Sequence, residues 1–392
     1  MVGKIVYFDH SATTAPRKRV VDAMASCFKE DFGNPSSLHK VGVRAKESIR
    51  RARERVANAL GASRDEEIFF TSGGTESDNW AIKGAARANR DKGNHIITSA
   101  IEHKAILESC HQLELEGFEV TYLPVDAKGV VSYRALIEAI KDQTTLISIM
   151  TANNEVGTLQ PISEIGSIAR ERGILFHTDA VQAVGSIPVN VKAMNVDMLS
   201  ISGHKFYGPK GIGALYVREG TEIEPIIRGG GQEDGMRAGT ENVPGIVGMA
   251  TAIELAVKEQ EAYAEKLLSL RSQMTIGLKK NIPSVIFNGD QVRRLPGNLN
   301  VTFPGADARE LLEELSERNI AVSTGSACRG ESVIPSHVLI AMGLTPEMAN
   351  STLRLTFGRF NTSKDVEYFL KVITELAGVS QYQAENRRIK IK

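Results

Sequence analysis

Residues 174–217 read ILFHTDAVQAVGSIPVNVKAMNVDMLSISGHKFYGPKGIGALYV, and the rhythm of this stretch decides the fold. Three short runs, Ile174 to His177, Met198 to Ser202 and Gly213 to Val217, are apolar or β-branched and are separated by longer segments. The same kind of run recurs upstream, at Ile68 to Thr71, Ile96 to Ser99, Val120 to Leu123 and Leu146 to Met150, with helical patterns between. Strands alternating with helices predict an α/β fold with a mainly parallel sheet covered on both faces. Ligands of such sheets sit at the carboxyl ends of the strands, so the residues just after each run are the ones to inspect.

At 392 residues the chain is enzyme-sized, and two domains are expected. Lys+Arg and Asp+Glu both number 47, which leaves no global field to gather nucleic acid or anionic lipid. The opening MVGKIVYFDHSATTAP places Asp and His where an export signal needs apolar residues. No segment approaches the roughly 20 apolar residues that span a bilayer, so a soluble, cytoplasmic protein is expected. Cys27, Cys110 and Cys328 are widely spaced and form no CxxC pair, which argues against a disulfide framework or a thiolate zinc site. The histidines show no ligand spacing, so no metal is expected.

Strand 68–71 runs into Ser72-Gly73-Gly74-Thr75-Glu76-Ser77 and then a helix. Two glycines allow close backbone approach, and the Thr75 hydroxyl joins free helix-end amides in an anion cup. Asp179 follows strand 174–177, and Lys205 follows strand 198–202. A lysine there is partly desolvated and suited to a Schiff base, and with an acid and an anion cup on the same edge it makes a site for pyridoxal 5'-phosphate (PLP). His103, after strand 96–99, points to that edge too. In Leu353-Arg354-Leu355-Thr356-Phe357 the apolar side chains share one face, turning Arg354 to the other, where it could clamp a carboxylate. Cys27 (with Val20, Met24 and Phe28) and Cys110 recur with apolar neighbours at helical spacing and read as core. Cys328 lies in Ser323-Thr324-Gly325-Ser326-Ala327-Cys328-Arg329-Gly330, which predicts a flexible loop with an exposed thiol. The glycine-rich segment 229–240 is suited to meeting a ligand or another chain closely.

From about Ala250 a helical pattern runs to about Lys280, followed by strand 298–303, helix 307–318, strand 353–357 and a last helix. The expected division is a large cofactor-binding domain over 16–258 and a small α+β domain over 1–15 and 259–392, carrying the Cys328 loop. Arg50 to Arg55 (RRARER) lies in a helix stopped by Gly61, and its basic residues read as a solvated face.

Together these residues resemble the PLP-dependent cysteine desulfurases of the nitrogen-fixation and iron–sulfur-cluster type, within the class V aminotransferases. DHSATT, FGNPSSLH, TSGGTESDN, EHK, NNEVGTLQPI, HTDAVQAVG, SGHKFYGPKGIGALYV, GGGQEDGMRAGTEN, LPGNLNV, STGSAC and LRLTFG occur here in that family's order across nearly the whole chain. The resemblance implies a fold-type I homodimer. It implies Lys205 as the Schiff-base lysine, Asp179 at the pyridine nitrogen, Gln182 at the phenolic oxygen and His103 on the ring. It implies phosphate binding by Gly74, Thr75, Ser202 and His204, with Thr240 reaching in from the other subunit. Asn154, which also belongs to the cofactor site, and Arg354 would bind the carboxylate of L-cysteine, and Cys328 would receive the sulfur. Alanine would leave, and a sulfur-acceptor protein, such as a cluster scaffold or thiolation protein, would take the persulfide. Gly74 stands where many members have Ala, and the tail GVSQYQAENRRIKIK does not look like the one that docks scaffolds. Selenocysteine lyase or an aminotransferase of the same fold is the rival enzyme reading. A non-catalytic subunit that binds partners in a sulfur-transfer assembly is the rival of another class.

Overall fold

The computed structural model describes the backbone of residues 5–325, 328–329 and 332–389, and side chains within 5–325 and 334–376. Seven strands, β2 (Ile68–Thr71), β3 (His95–Ser99), β4 (Glu119–Leu123), β5 (Thr144–Ser148), β6 (Leu175–Asp179), β7 (Met198–Ser202) and β8 (Gly213–Val217), form one sheet in the order β2-β8-β7-β6-β5-β3-β4. The pairs β4·β3, β3·β5, β5·β6 and β6·β7 are parallel, and β8 alone runs against its neighbours β7 and β2. The carboxyl ends of β2, β3, β5, β6 and β7 therefore open on one edge. Every residue of β3, β5, β7 and β8 is buried, as expected for strands covered on both faces.

Helices α1 (Lys18–Glu30), α2 (Lys40–Leu60), α3 (Gly74–Ala88) and α4 (Lys104–Leu115) cover the sheet together with helix Val243–Lys258. The sheet-facing side of α3 buries Trp80, Ala81 and Ala85, and the Trp80 indole N–H donates to the Glu224 carbonyl at 2.9 Å. Gly61 ends α2 in the left-handed region at φ 69°, where a Cβ would be strained. Arg53 corrects the solvated-face reading of RRARER. Its guanidinium is mostly covered and pairs with the buried carboxylate of Glu233 at 2.7 Å, which also accepts from the Phe70 amide at 3.0 Å. Phe28 is likewise not core but 66% exposed, although Cys27 beside it is buried.

A second core gathers Val6, Phe8, Leu270, Val301, Leu353, Leu355 and Phe369. Strand β1 (Val6–Tyr7) pairs in parallel with β11 (Ile320–Ala321), and β9 (Ile286–Asn288), β10 (Asn298–Thr302) and β14 (Thr352–Thr356) form an antiparallel sheet. Two short strands, β12 (Cys328–Arg329) and β13 (Ser332–Val333), pair antiparallel, so the backbone at Cys328 is part of a strand pair and not an irregular loop; its side chain lies outside the described residues. The helical pattern expected as one piece over 250–280 is two helices, Val243–Lys258 and Gln260–Asn281, that meet at Glu259. There the Glu259 carboxylate accepts from Arg17 at 2.8 Å and also pairs with Arg359. No helix among the described residues is long and apolar enough to cross a membrane.

Candidate active site

A cavity of about 350 Å³ opens at the carboxyl edge of the large sheet. Ten of the residues singled out from the sequence line it: Gly74, Thr75, His103, Asn154, Asp179, Gln182, Ser202, His204, Lys205 and Arg354. Thr240 is exposed and does not line the cavity of this chain.

Each side chain arrives by a local rule. Gly73, two residues after β2, stands at the N-cap of α3 and offers no side-chain cap, so the first amides of that helix are free to meet an anion. Asp179 is the last residue of β6, with its Oδ1 accepting from the Val181 amide at 2.8 Å. Burial pushes its carboxyl up, and His103, that hydrogen bond and Lys205 oppose the rise. Lys205 closes the short turn after β7, and its ammonium donates to the carbonyls of Ser11 and Ala12, the latter at 2.9 Å. Burial, with the Arg354 charge, lowers its pKa to about 8. Gln182 Nε2 donates to the same Ser11 carbonyl at 3.0 Å.

His103 is the N-cap of α4, where its Nδ1 accepts from the Ala105 amide at 3.2 Å. That bond assigns the proton of the neutral ring to Nε2, and burial lowers its pKa. The preceding residue, Glu102, is fully buried and ties β3 to β5, its Oε1 accepting from Ser99 Oγ at 2.6 Å and the Met150 amide at 3.0 Å. His204 Nδ1 lies 3.0 Å from Thr13 Oγ1, and burial, with the Lys205 and Lys210 charges, takes its pKa down to about 4. Arg354 crosses from β14, its Nη2 donating to Asp9 Oδ1 at 2.9 Å and its Nη1 to the Asn154 carbonyl at 3.2 Å. Its Nε is buried with no partner, which leaves donor capacity for a ligand.

The neighbouring Glu155 holds the stems of the segment that carries Cys328. Its Oε2 accepts from Ser336 Oγ, and a Cβ on Gly325 would overlap the same oxygen. Gly325→Ala is therefore expected to destabilise the chain by roughly 1–3 kcal/mol, the usual cost of overpacking. Urea unfolding of the variant beside wild type measures it, and an unchanged midpoint would contradict the contact.

Sequence reasoning missed Ser11 and Asp78, both of which line the cavity. A backbone carbonyl leaves no sequence signal. Asp78 did leave one, since a charged residue stands beside Ser77 on the buried side of α3.

The residues fit PLP on the evidence of this cavity. A buried carboxyl suits a ring nitrogen, an uncapped helix end suits a phosphate, and a lysine of lowered pKa suits a carbonyl carbon. An α/β fold with this site defines a class: the family described as Aminotransferase class-V matches residues 6–369, and the chain belongs to it. Within that class, the "Cysteine desulfurase IscS" of Methanosarcina thermophila is 57% identical over 373 residues, covering 95% of this chain and 92% of the relative. The protein of that name from Clostridium botulinum strain Hall is 52% identical over 377 residues, covering 96% and 95%. A solved structure described as a NifS-like protein superposes with a TM-score of 0.90 at 43% identity, covering 96% of this chain and 100% of its own. Another, described as SspA in complex with cysteine, gives 0.79 at 43% identity, covering 91% and 99%. The fold expected from the sequence, α/β of fold type I, is the one present.

Proposed function

We propose that this chain is a PLP-dependent cysteine desulfurase that takes the sulfur of L-cysteine onto Cys328 and releases L-alanine. The observation that carries the reading is the meeting, on one sheet edge, of Lys205, Asp179 and the free end of α3 opposite Arg354. We extend the proposal to a homodimer in which Thr240 of each subunit completes the other's phosphate cup. The cup of the same chain would be Gly74, Thr75, Ser202 and His204. The division into a large domain over 16–258 and a small one over 1–15 and 259–392 belongs to the same reading, as does persulfide delivery to a sulfur-acceptor protein.

When bound, PLP supplies an electron sink that weakens the bonds at the substrate α- and β-carbons. Asp179 would hold the proton on its ring nitrogen, Gln182 would face its phenolic oxygen, and His103 would lie against its ring. Arg354, anchored by Asp9, would grip the substrate carboxylate with Asn154 beside it. Lys205 Nζ would take the α-proton, which a pKa of about 8 permits near neutral pH. Nε2 of His103 would exchange protons with the thiols. The Cys328 thiolate attacks the substrate sulfur, a sulfur–sulfur bond forms, and the carbon–sulfur bond breaks. Its electron pair stays with carbon, which takes a proton to become the methyl group of alanine, the α-carbon regains its proton from Lys205 Nζ, and Cys328 is left as a persulfide.

Incubating the PLP-loaded chain with L-cysteine should give alanine and one added sulfur on the Cys328 peptide, read by mass spectrometry after alkylation. Absence of alanine would sink the proposal. Arg354→Lys should raise KM for L-cysteine by about tenfold to a hundredfold, with a smaller effect on kcat, because the paired hydrogen bonds to a carboxylate are lost. An unchanged KM would remove Arg354 from the substrate site.

A further inference from the structure

The floor of the cavity holds a second acid that the mechanism above does not use. Asp78, on α3, is 1% exposed and lines the cavity, and its Oδ1 has no hydrogen-bond partner. Beside it is an imidazole: His177 Nε2 lies 3.9 Å from Asp78 Oδ1. The same nitrogen lies 3.0 Å from Ser200 Oγ, and His177 Nδ1 lies 2.9 Å from Ser148 Oγ. The ring is thus fixed at both nitrogens by hydroxyls of β7 and β5. Burial holds it neutral, with its pKa taken down to about 3, so it brings no positive charge to an Asp78 anion. The titratable groups facing Asp78 among the described residues are His177 and Asp179 from β6 and Glu102 from the turn before α4. None is a cation. The two nearby bases, His103 and Lys205, act on Asp179 instead. A buried carboxylate oxygen without donor or counter-charge is a high-energy arrangement, and a neutral acid is not. Burial and the Asp179 charge accordingly push the Asp78 carboxyl well above its ordinary range, against a smaller opposing effect of Ser200.

We propose that Asp78 is a positioning residue that remains a neutral acid in the cavity floor, leaving Asp179 as the single charged carboxylate there. The proposal rests on the PLP reading of the site. Its consequence is that the charge beside the ring nitrogen is one and not two, and that it sits on the residue matched by Lys205 and His103. A side chain of the same shape that is always neutral should then serve as well as aspartate.

The test compares the full chain carrying Asp78→Asn, Asp78→Ala and Asp179→Asn with wild type. Asp78→Asn should bind PLP within about threefold of wild type and keep its visible absorption and the pH midpoint of that absorption. Asp78→Ala, which leaves a hole, should lose about tenfold in affinity, so that the amide rescues what the truncation removes. Asp179→Asn should lose about a hundredfold and shift the spectrum. A loss in Asp78→Asn comparable to that in Asp179→Asn would overturn the proposal, because it would make Asp78 an ionic partner of the ring. Infrared spectra of wild type and Asp78→Asn at pH 7, with and without isotopically labelled aspartate, supply a second measurement that does not depend on PLP uptake. A protonated carboxyl band that moves with the label in wild type and is missing from Asp78→Asn supports the neutral acid, and the lack of such a band overturns it. If wild type takes up no PLP, the parent reading fails while the infrared result still decides the state of Asp78.

Discussion

Cys328→Ser is expected to bind PLP and L-cysteine as wild type does and yet to form almost no alanine, with turnover lower by roughly a thousandfold or more. Lys205, Asp179 and Arg354 all remain in the cavity of the variant, so the loss falls on kcat. A serine hydroxyl offers no thiolate near neutral pH, and no other described cysteine can take its place. Cys27 and Cys110 are buried, and burial raises their thiols to about 11 and about 12. Cys27→Ser and Cys110→Ser should therefore alter stability at most. Wild-type rates of alanine formation in Cys328→Ser would refute the sulfur-transfer step and favour direct elimination from the substrate, as in a lyase.

Lys205→Ala should abolish the covalent, borohydride-reducible link to PLP and cut turnover by about three orders of magnitude or more. It is the lysine that lines the cavity among the described residues, and two main-chain carbonyls aim its amine. In wild type the rate of PLP capture by the apo chain should climb about tenfold per pH unit below pH 8 and level off above it. The reacting form is the neutral amine, and a pKa lowered to about 8 puts the bend there. A reducible link surviving in Lys205→Ala would sink the assignment, and a bend two units higher would contradict the burial of the amine.

Local patterns along the chain were enough to set the layers of the fold and to mark much of the cavity wall. Runs such as Met198 to Ser202 are local, period-two or wholly apolar patterns, and the residue after each run must stand at the strand end. Asp179, His103 and Lys205 were therefore legible before any contact was known, and Gly61 marked the end of α2 because only its own backbone conformation is involved. Tertiary structure decided what depends on residues far apart in the chain. The strand order that brings Ser202 and Gly74 to one edge is set by which strands pair, and β8 enters between β2 and β7 in the opposite sense. Arg53 is mostly covered because Glu233 comes from 180 residues away, and at Glu259, where the helix breaks, Arg17 and Arg359 converge from distant parts of the chain. Ser11 holds Lys205 through a carbonyl, an atom every residue has, so no side-chain pattern could announce it. The charge state of Asp78, unlike its place on the buried side of α3, became legible only when Asp179, His177 and Ser200 closed around it, because it is fixed by what surrounds the carboxyl and not by its neighbours in sequence.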